Sequence, residues 1–170
     1  DLHLSIRRQR QMCIRDSDTP CYWPPGPEPI HTLLDMRIAE LSMHAWDVRS
    51  VLAPSYHLSN DSLTELIETV PRAVRRAFRP EPDLETPIRY RFSLSSPVSI
   101  KVDIVVATDG TRLEVAGGSK PDVTYTCNGE TYVLVMYGRV KPDSALSDGS
   151  MSFEGDPASA TRFGQRFKGG

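Results

Sequence analysis

The residue types able to do chemistry concentrate in one stretch, Arg37-Ile38-Ala39-Glu40-Leu41-Ser42-Met43-His44-Ala45-Trp46-Asp47-Val48-Arg49. Glu40 and His44 stand four apart. On a helix that spacing stacks them one turn apart on one face, where a carboxylate oxygen and an imidazole nitrogen can reach the same divalent metal. At the helical angle per residue, Asp47 and Arg37 fall within about a sixth of a turn of the pair. Ile30, Leu34, Leu41, Val48 and Leu52 form an apolar stripe in the adjoining sector, so the polar cluster is expected to face an interior or a cleft. The same spacing also arises as an ordinary solvated side-chain contact, and spacing alone does not choose between the two.

The element that must carry these residues is a helix from about Pro29 or Ile30 to Ala53, with Pro29 at its opening turn and Pro54 ending it. So long an amphipathic helix cannot bury its stripe alone. It needs partner helices, and it is expected to be the last helix of a bundle whose earlier members are missing from the chain. Met43 and Trp46 read as packing residues. Asp47 has three readings: a hydrogen bond to the second ring nitrogen of a ligating His44, a partner for Arg49, or a plain solvated charge. His31, nine residues before Glu40, points to the opposite helical face, and the direction of His57 beyond Pro54 is not derivable.

Ahead of that helix, Pro20, Pro24, Pro25, Pro27 and Pro29 with Gly26 exclude helix and central strand and predict a loop. Its Cys21, Tyr22 and Trp23 either cover the end of a core or line a cleft, the covering role being favoured. Residues 1–17 are rich in Arg and Gln without periodicity. They resemble a translated sequencing linker and are set aside as a non-native leader. A basic arm for nucleic acid is the competing reading, weakened by the abrupt end of the charge pattern at Ser17.

The 170 residues suffice for one good core or a domain plus a remnant. With a net charge of −2 there is no basic field to favour nucleic acid or an anionic membrane. Cys13, Cys21 and Cys127 lack paired spacing and fit reduced thiols better than a disulfide framework or a thiolate metal site. No run approaches a membrane span and no start resembles a signal peptide, so the expected compartment is the cytoplasm.

Downstream, Asn60-Asp61-Ser62 opens a second helix through Leu63, Leu66, Ile67, Val70, Val74 and Phe78. Ser62 and Glu65 suit a capping box, Pro71 predicts a kink, and Pro80 and Pro82 predict a stop. Arg72, Arg75, Arg76 and Arg79 predict a solvated face. From Ile88 the period becomes two. Segments 88–94, 100–107, 111–115 and 122–127 predict four strands with hairpin-type links in an antiparallel or mixed sheet. A short apolar helix follows over 129–138, with Asn128 as N-cap and Gly138 at its end. A strand over 150–154 and a last helix opened by Asp156-Pro157 complete the chain.

Two groups of residues resemble known families. Gly26-Pro27-Glu28-Pro29-Ile30 through Arg37, Glu40, His44 and Trp46-Asp47 resembles the last bundle helix of the DinB-like, mycothiol-dependent maleylpyruvate isomerase family. Tyr137-Gly138-Arg139, Pro142, Ala145-Leu146, Gly149, Phe153-Glu154-Gly155-Asp156 and Phe163 resemble the sterol-carrier-protein-like fold, and more narrowly the C-terminal domain of that isomerase family. Together they imply an α+β chain with 18–57 as a truncated bundle helix and 58–170 as a sterol-carrier-like domain. They also imply Glu40 and His44 as ligands of a divalent metal, usually zinc, completed by a His on an earlier helix that has no counterpart here. The thiol would be mycothiol, a low-molecular-weight partner, adding to a small substrate such as maleylpyruvate to permit cis/trans isomerisation, or passed to other electrophiles. The resemblance also allows an Arg of the C-terminal domain near the site.

Arg139 is the candidate for that role, against a plain helix-ending cation. Arg37 is the second candidate for meeting a dianionic acid. With two protein ligands the chain is expected to be metal-poor or inactive. The alternative function is a non-catalytic module holding an apolar ligand between sheet and helices, and a third is a domain that only braces the bundle. A filled core with Glu40 and His44 converging on a cleft would favour the enzyme. An apolar tunnel under Val133, Met136 and Phe163, with the pair turned apart, would favour carriage.

Overall fold

The computed structural model describes residues 17–23, 26–77 and 84–167. The leader through Asp16, with Cys13, and the segment 78–83, with Arg79, Pro80 and Pro82, lie outside the described residues, as do the side chains of Trp23, Arg75 and Arg76.

The Pro-rich stretch is not a loop. It forms a two-stranded antiparallel ribbon, β1 (Pro20–Trp23) and β2 (Gly26–Pro29), in register from Pro20 opposite Pro29 to Trp23 opposite Gly26. Proline already holds the extended backbone, and a ribbon apart from the main sheet needs few ladder N–H groups. Just before the ribbon, the carbonyls of Thr19 and Ser17 accept the amides of Ile30 and His31 at 3.1 and 3.0 Å. These bonds satisfy helix-opening donors that Pro29, the N-cap, has no side chain to meet.

Helix α1 (Ile30–Leu52) has the expected length but the opposite orientation. It buries Thr32, Ala39 and Met43, whereas Leu34, Leu41, Val48 and Leu52 are 56–81% exposed and Ile30 is half-buried. The stripe expected to face inward is the outer face. The reason lies in α2 (Asn60–Ala77), whose Leu63, Leu66, Ile67, Val70 and Val74 form the buried surface here. α1 lies on α2 through the face that carries Thr32, Ala39 and Met43, and Arg72 of α2 is half-buried instead of solvated. Its guanidinium donates to Thr32 Oγ1 at 3.2 Å and Thr32 O at 3.4 Å. The cap of α2 is Ser59, whose Oγ accepts Ser62 N–H at 3.2 Å, in place of a Ser62–Glu65 box. The helix continues through Pro71.

The sheet comprises β3 (Ile88–Leu94), β4 (Lys101–Ala107), β5 (Gly110–Val115), β6 (Val123–Cys127) and β7 (Met151–Gly155), in the order β5-β4-β3-β6-β7. The first three strands form the expected antiparallel meander. The link from β5 to β6 is a crossover and not a hairpin, because β6 runs parallel to β3. Arg91 on β3 holds that crossover by donating to the carbonyls of Gly117 and Ser119 at 3.3 and 3.0 Å.

Strict alternation along β3 sends Ile88, Tyr90, Phe92 and Leu94 to the buried face. Helices α3 (Gly129–Met136) and α5 (Pro157–Arg166) cover it, with a short α4 (Pro142–Ser147) between them that the sequence pattern did not predict. Asn128 caps α3 by accepting Thr131 N–H at 2.7 Å, and Asp156 caps α5. Gly129 has to be glycine: a Cβ there would sit 2.7 Å from Ser96 O and 2.9 Å from Ile67 Cδ1. Phe163 is fully buried, with ring centroids of Tyr90, Tyr125, Phe92 and Phe167 at 5.0, 5.2, 5.6 and 5.3 Å. Val133 and Met136 are likewise fully buried, so the space under α3 and α5 is filled at these residues.

The other face of the sheet is polar. Asp103, with no exposed side-chain surface, accepts from Arg91 Nε and NH2 at 2.7 and 2.9 Å and from Arg89 at 3.0 Å. Arg91, then Arg89, hold its carboxyl below the ordinary 3.8 against the opposing effect of burial. Replacing Asp103→Asn leaves the half-buried Arg91 guanidinium without a carboxylate and Arg89 with Glu114 alone, and should cost about 3 kcal/mol in urea unfolding. Because the folded value is depressed, this stability is present above the ordinary carboxylate range and is lost as pH falls through the folded value. The acid limb of a stability–pH profile should therefore flatten in the variant.

Candidate functional site

α1 meets the sheet domain at the C-terminal end of α3. That helix closes in a Schellman turn: Arg139 N–H donates to Leu134 O at 2.8 Å and Gly138 N–H to Val135 O at 3.0 Å, with Gly138 at φ 71°. Glycine accepts that left-handed backbone without steric cost. The turn delivers Arg139 to α1, where Nε and NH2 donate to the two carboxylate oxygens of Asp47 at 3.0 and 2.9 Å. NH1 donates to Tyr137 O at 2.7 Å. Arg139 thus ends the helix, as the plain reading held, and also ties α1 to the sheet domain. Next to it, the Tyr137 hydroxyl pairs with Thr69 Oγ1 at 2.8 Å, and burial pushes the phenol upward.

Asp47 has a second contact. Its Oδ2 lies 3.3 Å from His44 Nδ1. The Arg139 hydrogen bonds hold the Asp47 carboxyl below the ordinary range against partial burial, and His44 adds to the effect. The main partner of Asp47, Arg139, was in none of its three readings; Asp47 also meets the His44 ring, while Arg49 stacks over Tyr56 and donates to its hydroxyl.

Glu40 and His44 share the predicted edge of α1 but are turned to different partners: Glu40 pairs with Arg37 one turn back, and His44 with Asp47 one turn on. Their side chains are 48% and 67% exposed. Glu40 and Arg37, with Leu33 and Met36, line a shallow recess of about 300 Å³. One carboxylate and one imidazole fit two positions of a four-coordinate cation, and His44 Nε2 points away from the Asp47 contact. Among the described residues no group of three or more His, Cys, Asp or Glu could hold a metal ion. His31 is directed to Ser17 O at 3.0 Å, away from the pair as its spacing predicts, and His57 pairs with Glu130 at 2.8 Å. Trp46 packs on the core, with its Nε1 buried and without a partner among the described residues. Tyr22 is 80% exposed and covers no core.

What sequence reasoning missed is the pairing. Asp47 and Arg139 were each singled out, but they lie 92 positions apart, and no periodic signal joins them. The apolar wall of Leu33 and Met36 was also unforeseen, since neither belongs to the stripe.

Residues 88–168 match the SCP-2 sterol transfer family. The unit from β3 to the C-terminal end of α5 is therefore a sterol-carrier-like domain, preceded by a long helix. Among curated proteins nothing matches this chain. Among solved structures it is similar to the inverting sec-alkylsulfatase Pisa1 from Pseudomonas sp., at 12% identity and TM-score 0.46, covering 66% of this chain but 17% of that one. It is also similar to the ubiquinone synthesis protein UbiJ-SCP2, at 12% identity and TM-score 0.43 over 61% of this chain and 90% of that one. A third is sterol carrier protein 2 like 2 from Aedes aegypti, at 17% identity and TM-score 0.38 over 62% and 93%. The chain thus spans less than a fifth of the sulfatase. No helix among the described residues is long and apolar enough to cross a membrane.

The tie between α1 and the sheet domain can be measured directly. In a double-mutant cycle of Asp47→Ala and Arg139→Ala, read by thermal or urea unfolding, the coupling energy should be about 1 kcal/mol, a value held down by the partial exposure of Asp47. A coupling of zero would mean that the contact does not hold α1 in place.

Proposed function

We propose that the chain is part of a metal-binding, mycothiol-dependent isomerase or thiol transferase of the maleylpyruvate isomerase type. In this reading residues 18–57 are one helix of a metal-binding bundle and 58–170 the sterol-carrier-like domain. The observation that carries the reading is the outer face of α1. Leu34, Ile38, Leu41, Val48 and Leu52 form a continuous apolar surface, 40–81% exposed, and the helical angle places Glu40 and His44 along its border. Further bundle helices packed on that face would turn the bordering edge into the wall of a cleft.

The divergence of Glu40 and His44 counts against this reading, and a bound metal would have to overcome it. Each is held by one exposed contact worth about 0–1 kcal/mol, whereas a protein zinc site releases about 10 kcal/mol or more. Glu40 and His44 would hold the cation, with the remaining protein ligand supplied by another helix. A divalent metal there would supply the Lewis acidity that keeps a thiol ionised at neutral pH. Arg37 and Arg139 lie on either side of the pair along α1, the second through Asp47, and are the cations to which a small dianionic substrate would be drawn. Of the two features expected of the enzyme, the filled core under Val133, Met136 and Phe163 is present and the convergence of Glu40 and His44 is not.

The second reading is an apolar-ligand module without catalysis, and the match of residues 88–168 to a sterol transfer family favours it.

The two are separated by metal and lipid titrations. In protein carrying the additional bundle helices, Glu40→Ala and His44→Ala should each lower Zn²⁺ affinity by at least the roughly 10–100-fold that follows loss of a supporting residue. Zinc affinity unchanged from the parent protein in both variants defeats the isomerase reading. Saturable binding of a fluorescent fatty acid by the chain, abolished by Phe163→Ala but not by His44→Ala, would establish the module reading instead.

A further inference from the structure

Three residues from two parts of the fold form a chain of hydrogen bonds. Arg139, anchored by NH1 on Tyr137 O, grips both oxygens of Asp47, and Asp47 Oδ2 meets His44 Nδ1 at 3.3 Å. An ionised carboxylate can only accept, so in this contact Nδ1 must donate. We infer that Arg139 is a positioning residue that acts through Asp47 to set neutral His44 in its Nδ1–H form and leave the Nε2 lone pair for a cation. The inference rests on the proposed function only in naming a divalent metal as what Nε2 receives.

The geometry gives Arg139 this role for a specific reason. A lone carboxylate on an exposed helix turns freely between water and neighbours, and its hold on a ring three residues away is weak. The bidentate guanidinium fixes the plane of Asp47, and the guanidinium is itself fixed at a third nitrogen by the closed turn around Gly138. The sheet domain therefore sets the tautomer of a residue on α1 through the turn at this end of α3. The sheet domain need not contribute a ligand or touch a substrate to affect metal affinity. Where a histidine ligates a metal, the partner of its other nitrogen sets ring orientation and basicity.

The test is nitrogen-15 NMR of the imidazole rings in the full chain, metal-free, at a pH of about 8, above the ordinary histidine range. The His44 signals are identified by their loss in His44→Gln. The native chain should show Nδ1 protonated and Nε2 bare. Arg139→Gln and Asp47→Ala should each shift the ratio toward Nε2–H by about threefold or more. Arg139→Lys, a point charge without the fork, should recover part of the native ratio. Arg49→Gln, which removes a guanidinium two residues from Asp47 but outside the chain of bonds, should leave it unchanged. Arg139→Gln keeps Asp47 in place, so the comparison stands even if Asp47→Ala does not fold.

A dominant Nε2–H form in the native chain, or a native ratio retained in Arg139→Gln, overturns the assignment. Zn²⁺ added to the same sample probes the functional reading separately. A shift at His44 Nε2 supports the metal site. No shift counts against that site, while a dominant Nδ1–H form still upholds the role of Arg139.

Discussion

A helix of 23 residues that fully buries Thr32, Ala39 and Met43 is held by a narrow apolar contact and by the polar contacts around it. Met43 and Ala39 join the hydrophobic core and Trp46 packs against it, while the leucines and valines on the other side of the same helix stay exposed. To that packing are added polar contacts at two points: Arg72 on the Thr32 backbone and hydroxyl near the start of α1, and Arg139 on Asp47 near its end. The second of these shapes the candidate site, because it sets which edge of α1 faces the sheet domain. With Asp47 gripped from one side, His44, Glu40 and Arg37 follow along the same edge, and the leucine face is left outward.

The sheet domain is stabilised in a different manner. Its helix-covered face is a packed set of rings around Phe163, with Tyr90 and Tyr125 also hydrogen-bonded to carbonyls of α5. Its polar face is organised by Asp103, whose two arginines bridge strands β3 and β4; Arg89 extends the network to Glu114 on β5. Arg91 also secures the crossover into β6. A buried carboxylate between two guanidinium groups is costly to desolvate and gives little net stability over an apolar substitute, yet it specifies one arrangement of strands. Here that arrangement is the crossover that places β6 parallel to β3 and so brings α3 and its terminal turn toward α1.

These two halves bear on function together. In the sterol-carrier-like unit the interior at Val133, Met136 and Phe163 is occupied by side chains. The long helix presents the reverse situation: metal-ligating residue types on an edge beside an apolar surface that no described residue covers. The tie through Asp47 and Arg139 makes the sheet domain a brace for that edge.

Much of the fold was legible in the order of residues. Alternation along 88–94, the caps Asn128 and Asp156, and the limits set by Pro54 and Gly138 are local signals, and local backbone chemistry decides them. The type and spacing of Glu40, His44, Asp47 and Arg37 were equally legible, because helical geometry puts residues three and four apart on one face wherever the helix sits. The orientation of α1 was not. A stripe of leucines and valines predicts burial, but which face is buried depends on the competing surface of α2, and only the assembled structure compares the two. The same holds for Arg139. Its place after a glycine announced a helix end, whereas its carboxylate partner, 92 residues away, was decided by a crossover and a turn whose geometry emerges only when the sheet has formed.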